Sequence, residues 1–407
     1  MNPIRKLKRF VHSRIFVLKT KRLPKAQKVN LGQKTIVQVS GFFSSSLGLG
    51  QAARKQAKLI EGIGYEVLQN DITNAVSPSL LGMNHDVEPA KNSSGQMANL
   101  TTPHPPKITI LHLNPPETPK AIEANGCNLG DYKIGYWIYE LEDIPRLWRH
   151  VSPLVHEVWS ATQFSADALS KGLARPVEVM PLPIELWQPN IDVRMKYGLD
   201  TSNFIVLMAY DVNSSVARKN PYAAIEAFKR AFPQQRDVTL IVKVSRLDNW
   251  LPARNQLVEA IAGDTRIRLI EDILNENDMA GLVESADAIL SMHRSEGFGL
   301  LLAEAMARGK AVVATGWSGN MDFMNEDVSH LVDYKMISVA DQQKSYSGGQ
   351  WADPSIDDAA NKLRNCKNNK PARLDIGERA KKHVNFVLGD ATLKKYRDRI
   401  EYLRSRN

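Results

Sequence analysis

A chain of 407 residues that is 43% hydrophobic can bury substantial cores, and its length favours two domains over one. The formal charge of +9 is concentrated at one end: residues 1–60 hold 14 Lys and Arg and no acidic residue, which leaves 39 basic against 44 acidic residues in the remainder. Basicity is therefore local and does not make the whole chain a nucleic-acid binder, while two cysteines, Cys127 and Cys366, exclude a disulfide framework or a four-cysteine zinc site and fit a reducing cytoplasm.

The first elements belong to a basic leader, residues 1–30, in which Ile4, Leu7, Phe10, Val11, Ile15 and Leu18 recur at helical spacing among Arg and Lys. Such a helix could lie on an anionic membrane surface, pack on a domain, or stay a solvated extension. No apolar run approaches the roughly 18 to 20 residues needed to cross a bilayer, and FVHSRIFVL is too interrupted by charge for a signal-peptide core. A cytoplasmic protein is expected, peripheral on the inner face of the membrane if the leader docks there.

From residue 35 the chain alternates strand-like runs with helical patterns. TIVQVSGF, the helical GQAARKQAKLIEGIG and YEVLQ form a βαβ unit, followed by KITILHLN, YKIGYWIY, HEVWSAT and VEVMPLPIEL. Residues 83–106, polar and Pro-rich, read as a long loop. A linker over 186–200 separates this domain, 31–185, from a second series at 201–385: NFIVLMAYD, the helix NPYAAIEAFKRAF, VTLIVKVS, IRLIED, AILSMH and AVVAT. Residues 386–407 read as a closing helix. The pattern predicts an α/β protein with two doubly wound, Rossmann-like domains and ligands at the strand C-termini.

The stretch HRSEGFGLLLAEAMARG, residues 293–309, carries the chemistry. EGFG makes a turn and LLLAEAMARG a short helix ending near Gly309, so the free N–H groups near residues 297–300 form an anion site suited to a diphosphate. Glu296 and Glu304 cannot favourably meet phosphate but can accept hydrogen bonds from hydroxyls. A ligand with both phosphates and sugar hydroxyls satisfies all of these groups. Two carboxylates on one helix start are also a poor glycoside-hydrolase pair, which must flank the scissile bond. No D-x-D triplet is present, and NEND lies in a helix-start turn, so no metal is expected. Gly48 and Gly50 in SLGLGQ could let backbone approach a ligand at a helix start, or simply allow helix packing.

The segment SEGFGLLLAEAMARGKAVVATGWSGNMDF resembles the signature of the group 1, family-4 retaining glycosyltransferases with the two-domain GT-B fold. Glu296 and Glu304 match the family's E-x7-E pattern, and SSSLGLGQAARKQAKLIEGIGYEV, ARKNPYAAIEAFKRAF and GGQWADPSIDDAANKLR extend the resemblance over about residues 35–405. It implies two domains facing across a cleft, with the closing helix returning to the first. It also implies transfer of a hexose from a UDP- or GDP-sugar to a glycan or lipid-linked saccharide, as in bacterial surface polysaccharide or lipopolysaccharide synthesis, with no cofactor beyond the sugar nucleotide. Glu296 would contact the donor sugar, Glu304 the ribose, and the backbone of Gly297, Phe298, Gly299 and Leu300 the diphosphate, which Lys219 neutralises. The family's usual arginine is replaced by Asn213, and Arg218 is the candidate substitute. His293 either faces the sugar or is a hydrogen-bonded strand-end histidine. In place of the family's first-domain histidine stand Trp137, Tyr139 and Glu140, of which Glu140 is the acceptor-side candidate; His112 and Glu117 are weaker ones. A nucleotide-sugar epimerase of this architecture and a non-catalytic nucleotide-sugar-binding subunit are the alternatives.

Overall fold

A computed structural model describes residues 3–27, 35–45, 48–76, 107–125, 129–200 and 202–405, with side chains from residue 11 onward. The loop expected at 83–106 and Cys127 lie outside the described residues. The chain divides into two units, Met1–Pro183 with Thr392–Asn407, and Ile184–Ala391.

The first unit is built on six strands, β1 (Ile36–Gly41), β2 (Glu66–Asp71), β3 (Ile108–Leu111), β4 (Tyr132–Tyr136), β5 (Glu157–Ser160) and β6 (Glu178–Val179). They lie in the order β2-β1-β3-β4-β5-β6, all parallel. β1, β3 and β5 are buried at every position, as expected for parallel strands covered on both faces. The helix Gly48–Gly62 crosses from β1 to β2.

The closing helix, Ala391–Ser405, belongs to this unit. Its Tyr396 is buried edge-on against Trp159, and its hydroxyl accepts from Gln56 Nε2 at 2.9 Å. Arg399 reaches Glu157 at 2.7 Å and Glu178 at 3.1 Å. His112 is part of the same buried cluster: it stacks on Tyr136, and its Nδ1 meets Gln56 Oε1 at 3.0 Å. Burial holds its pKa down near 3.

The second unit carries β7 (Phe204–Asp211), β8 (Val238–Ser245), β9 (Ile267–Ile270), β10 (Ala288–Ser291), β11 (Ala311–Thr315) and β12 (His330–Val332). These also form a parallel sheet, in the order β12-β11-β10-β7-β8-β9. On one face Val238, Leu240, Val242 and Val244 pack with Ala224, Phe228, Leu257 and Leu363 from the flanking helices. The Asn275 side chain caps the helix Glu276–Ser285 by accepting from Asp278 N at 2.8 Å, the turn expected of NEND. An antiparallel hairpin, β13 (Tyr334–Ser338) and β14 (Gln350–Pro354), follows β12. Chain order along this sheet reverses between β7 and β10, which makes the crevice beyond their C-terminal ends the position where open α/β sheets bind ligands.

Candidate active site

Two turns meet at that reversal. The one after β7 ends in the short helix Val216–Lys219, capped by Ser215, whose Oγ accepts from Arg218 N at 3.3 Å. The other, after β10, runs from Met292 to the helix Leu300–Ala307. They are tied directly, Arg294 N donating to Arg218 O at 2.7 Å. The Arg294 guanidinium adds bonds to Ala217 O at 2.7 Å and to Asp353 of β14 at 3.0 Å.

At the junction Glu296 is buried, its carboxylate paired with both neighbouring cations: Lys219 Nζ donates to Oε1, and Arg218 Nη1 lies 3.3 Å from Oε2. Burial alone would raise the Glu296 carboxyl; Lys219 and then Arg218 outweigh it and hold the group down at about 2. The two cations are not equivalent. The Arg218 side chain is 5% exposed and is also held by Ser214 O at 3.1 Å and Ser295 O at 2.8 Å. Lys219 is 20% exposed. Arg218 thus acts as a strut between the two turns, and Lys219 is the cation nearer solvent.

A third segment, after β11, fixes the backbone beneath Glu296. Ser318 adopts φ 80°, a strained conformation for a side-chain-bearing residue, and its Oγ accepts from Glu296 N at 2.8 Å. Gly319 N donates to Glu296 O at 2.9 Å. A Cβ on Gly319 would lie 2.4 Å from the Gly297 carbonyl oxygen, so only glycine permits this approach. Gly299 (φ +99°) then turns the chain into the helix, whose first turn has free N–H groups. Phe298 is buried against Phe323. Leu300, Glu304 and Arg308 share the helix's half-buried stripe while most of the rest is buried.

His293 is fully buried with both ring nitrogens engaged, Nδ1 3.0 Å from Ser291 Oγ and Nε2 3.1 Å from Asn320 Oδ1. Since an amide oxygen only accepts, Nε2 carries the proton and Nδ1 accepts from the serine. Burial lowers the ring's pKa to about 4, so it is a neutral, hydrogen-bonded residue at the strand end. Asn213, where the resemblance led to the expectation of an arginine, is turned towards Asn249, accepting its Nδ2 at 3.0 Å.

Glu140, Gly48 and Gly50 belong to the first unit. Glu140 is half-buried in the segment after β4. Gly50 is pressed against backbone, since a Cβ there would lie 2.4 Å from Ser45 O and 2.5 Å from Phe42 O, which is a packing requirement. Glu117 is driven up to about 7 by burial.

Lys243 stands in no motif of the sequence. It is buried at the C-terminal end of β8, between Ala209 of β7 and Ile270 of β9 in register, and donates to Ser245 Oγ. Beside it, Arg246 pairs with Asp211. Burial lowers Lys243 to about 8. The available signal was a lysine inside the apolar run LIVKVS. Among the described residues no group of three His, Cys, Asp or Glu could hold a metal ion.

Residues 211–342 match the family model described as Glycosyl transferases group 1. No curated protein sequence matches the chain. Among solved structures, a glycosyltransferase from Rickettsia africae is similar with a TM-score of 0.63 at 16% identity, over 92% of this chain and 100% of that one. HepE of Anabaena, solved with UDP and glucose, gives 0.62 at 15% over 90% and 99%. Sucrose-phosphate synthase of Thermosynechococcus elongatus gives 0.65 at 14% over 92% and 100%. The chain therefore resembles the group 1 glycosyl transferases through residues 211–342 and has, in two Rossmann-like units, the GT-B fold of solved glycosyltransferases.

Proposed function

We propose that the protein is a retaining, metal-independent glycosyltransferase that moves a hexose from a nucleoside-diphosphate sugar to a glycan or lipid-linked saccharide, in the assembly of a bacterial surface polysaccharide. The observation that carries this reading is the buried Glu296 carboxylate set between Lys219 and Arg218 at the helix start beyond β10. A carboxylate held ionised there is a hydroxyl acceptor beside a cationic, N–H-rich anion site, the pairing that a sugar diphosphate requires.

In this reading the donor diphosphate takes Lys219 from Glu296 and rests on the N–H groups of Phe298, Gly299 and Leu300. Glu296, released from that pair but still braced by Arg218, accepts from the sugar hydroxyls, and Glu304 from the ribose. The acceptor oxygen bonds to the anomeric carbon on the face from which the diphosphate departs. The breaking bond's electron pair leaves with the diphosphate, whose oxygen takes the acceptor's proton. Lys219 and the helix start stabilise the charge that grows on the leaving group, a preorganised electrostatic contribution. That cationic supply lets the reaction proceed without a metal. HepE, similar in fold, was solved with UDP-glucose, which makes UDP-sugars the first donors to try.

The test is equilibrium binding of UDP, GDP and their hexose conjugates to wild type and Lys219→Ala. Binding of one nucleotide series that falls at least tenfold in the variant is expected, on the order of one charge-assisted contact. Equal binding of wild type and variant, or no binding of any sugar nucleotide, would remove the assignment.

A further inference from the structure

We infer that the first helix, Pro3–Arg22, docks the protein on an anionic lipid surface through one face, the strip Val11, Ile15 and Leu18. The sequence pattern left open whether its apolar residues pack on a domain or face outward. The structure contains both answers on opposite sides of one helix.

On the inner side Ser13, Phe16 and Val17 are half-buried and Thr20 is 2% exposed, and the helix lies beside the segment Arg146–His150. The chain after it is tied down as well: Ala26 N donates to Pro153 O at 3.0 Å, and Gln27 O meets His156 Nε2 at 2.5 Å. The helix is thus a fixed part of the first unit. On the opposite side Val11, Ile15 and Leu18 are 44%, 47% and 57% exposed. At 3.6 residues per turn these three fall within about 60° of arc, roughly opposite the inner set.

Charge identifies the occupant. Arg14 and Lys19 flank the strip and Arg22 continues it, and the first acidic residue of the chain is Glu61. An aliphatic strip edged only by cations matches a bilayer interface, where aliphatic side chains enter the acyl boundary and cations meet anionic headgroups. The helix bears no negative charge, so its complement is a surface negative throughout, as an anionic leaflet is. No described helix is long and apolar enough to cross a membrane, so the contact is superficial.

The experiment is co-sedimentation of the full chain with vesicles of phosphatidylcholine alone or mixed equally with phosphatidylglycerol, at low and high salt, for wild type, Ile15→Asp/Leu18→Asp, and a control Leu374→Asp. Leu374 is an exposed leucine of the second unit. The expected result is binding to the mixed vesicles only, falling with salt as exposed charges are screened. It should fall by about tenfold or more in the double variant and remain unchanged in the control. Because the substituted residues are exposed, the double variant should keep the wild-type circular dichroism and unfolding midpoint. Equal vesicle binding by wild type and the double variant, or no binding of wild type to anionic vesicles, would overturn the inference. So would a wild-type dimer in sedimentation velocity that the double variant converts to monomer, since the strip would then serve a second copy of the chain.

Discussion

Glu296→Gln is the most informative perturbation, because the same carboxylate holds two turns together and is proposed to hold the sugar. Its pKa lies near 2 against an ordinary 4.5; at about 1.4 kcal/mol per pH unit this is roughly 3 kcal/mol in favour of the folded, ionised form. The lowered value fixes the sign: this stability is fully present above pH 4.5 and is lost as pH falls towards 2. Breaking a buried ion pair from one side costs about 3 to 5 kcal/mol. The variant leaves Lys219 and Arg218 facing each other, with a neutral amide able to accept only part of what the carboxylate did, so a loss of about 3 kcal/mol is expected at pH 7. Urea unfolding with and without nucleoside diphosphate measures it. The added dianion should restore more stability to the variant than to wild type, because it replaces the missing negative charge. Sugar transfer by the folded variant should fall about 10²- to 10³-fold. A variant as stable as wild type at pH 7, or a wild type that loses no more stability than the variant between pH 4.5 and 2, would show that the Glu296 carboxylate does not tie the two turns together.

Arg218→Ala should destabilise the second unit by about 2 to 4 kcal/mol, since it takes one of two cations from Glu296 and the donor from the Ser214 and Ser295 carbonyls. Lys219→Ala removes the larger of the two attractions that hold Glu296 ionised while Arg218 remains, and should cost about 1 to 3 kcal/mol; calorimetry measures both. Gly319→Ala places a methyl group against the Gly297 carbonyl and should cost about 1 to 3 kcal/mol while also lowering kcat, although Gly319 is assigned no ligand contact. Lys243→Met tests the buried lysine: with a folded pKa of about 8 against 10.5, wild type should gain up to about 3 kcal/mol relative to the variant as pH rises from 8 to 10.5. Unfolding midpoints across that range check it.

Much of the fold was legible in sequence, for reasons tied to particular segments. VTLIVKVS and AVVAT are the strands β8 and β11 residue for residue, because strands buried on both faces read as nearly continuous apolar runs. The helix at 300–307 announced itself through its preceding glycines and its end near Gly309. The β13–β14 hairpin was not legible: Tyr334–Ser338 is largely exposed and polar, and its partner strand begins twelve residues after it ends. The motif at 293–309 marked the glutamates. The Lys219 and Arg218 pairings, the strained Ser318 beneath Glu296 and the burial of Lys243 depend on neighbours 22 to 78 residues away in the chain, and no local pattern records them. The leader's spacing gave a helix, but apolar residues stand on both of its faces, Phe16 and Val17 on one and Val11, Ile15 and Leu18 on the other, so only packing decides which is covered.

Transfer of the sugar of a nucleoside diphosphate by this chain, with its configuration kept, is read out by a proton NMR time course. Full-length protein, UDP-glucose and a lipid-linked saccharide acceptor should yield UDP and a glycoside whose anomeric coupling constant is that of the donor's α-configuration. Both products should require acceptor and be lost together in Glu296→Gln. Consumption of UDP-glucose without acceptor to give an isomeric sugar nucleotide, or a glycoside of inverted configuration, would contradict it.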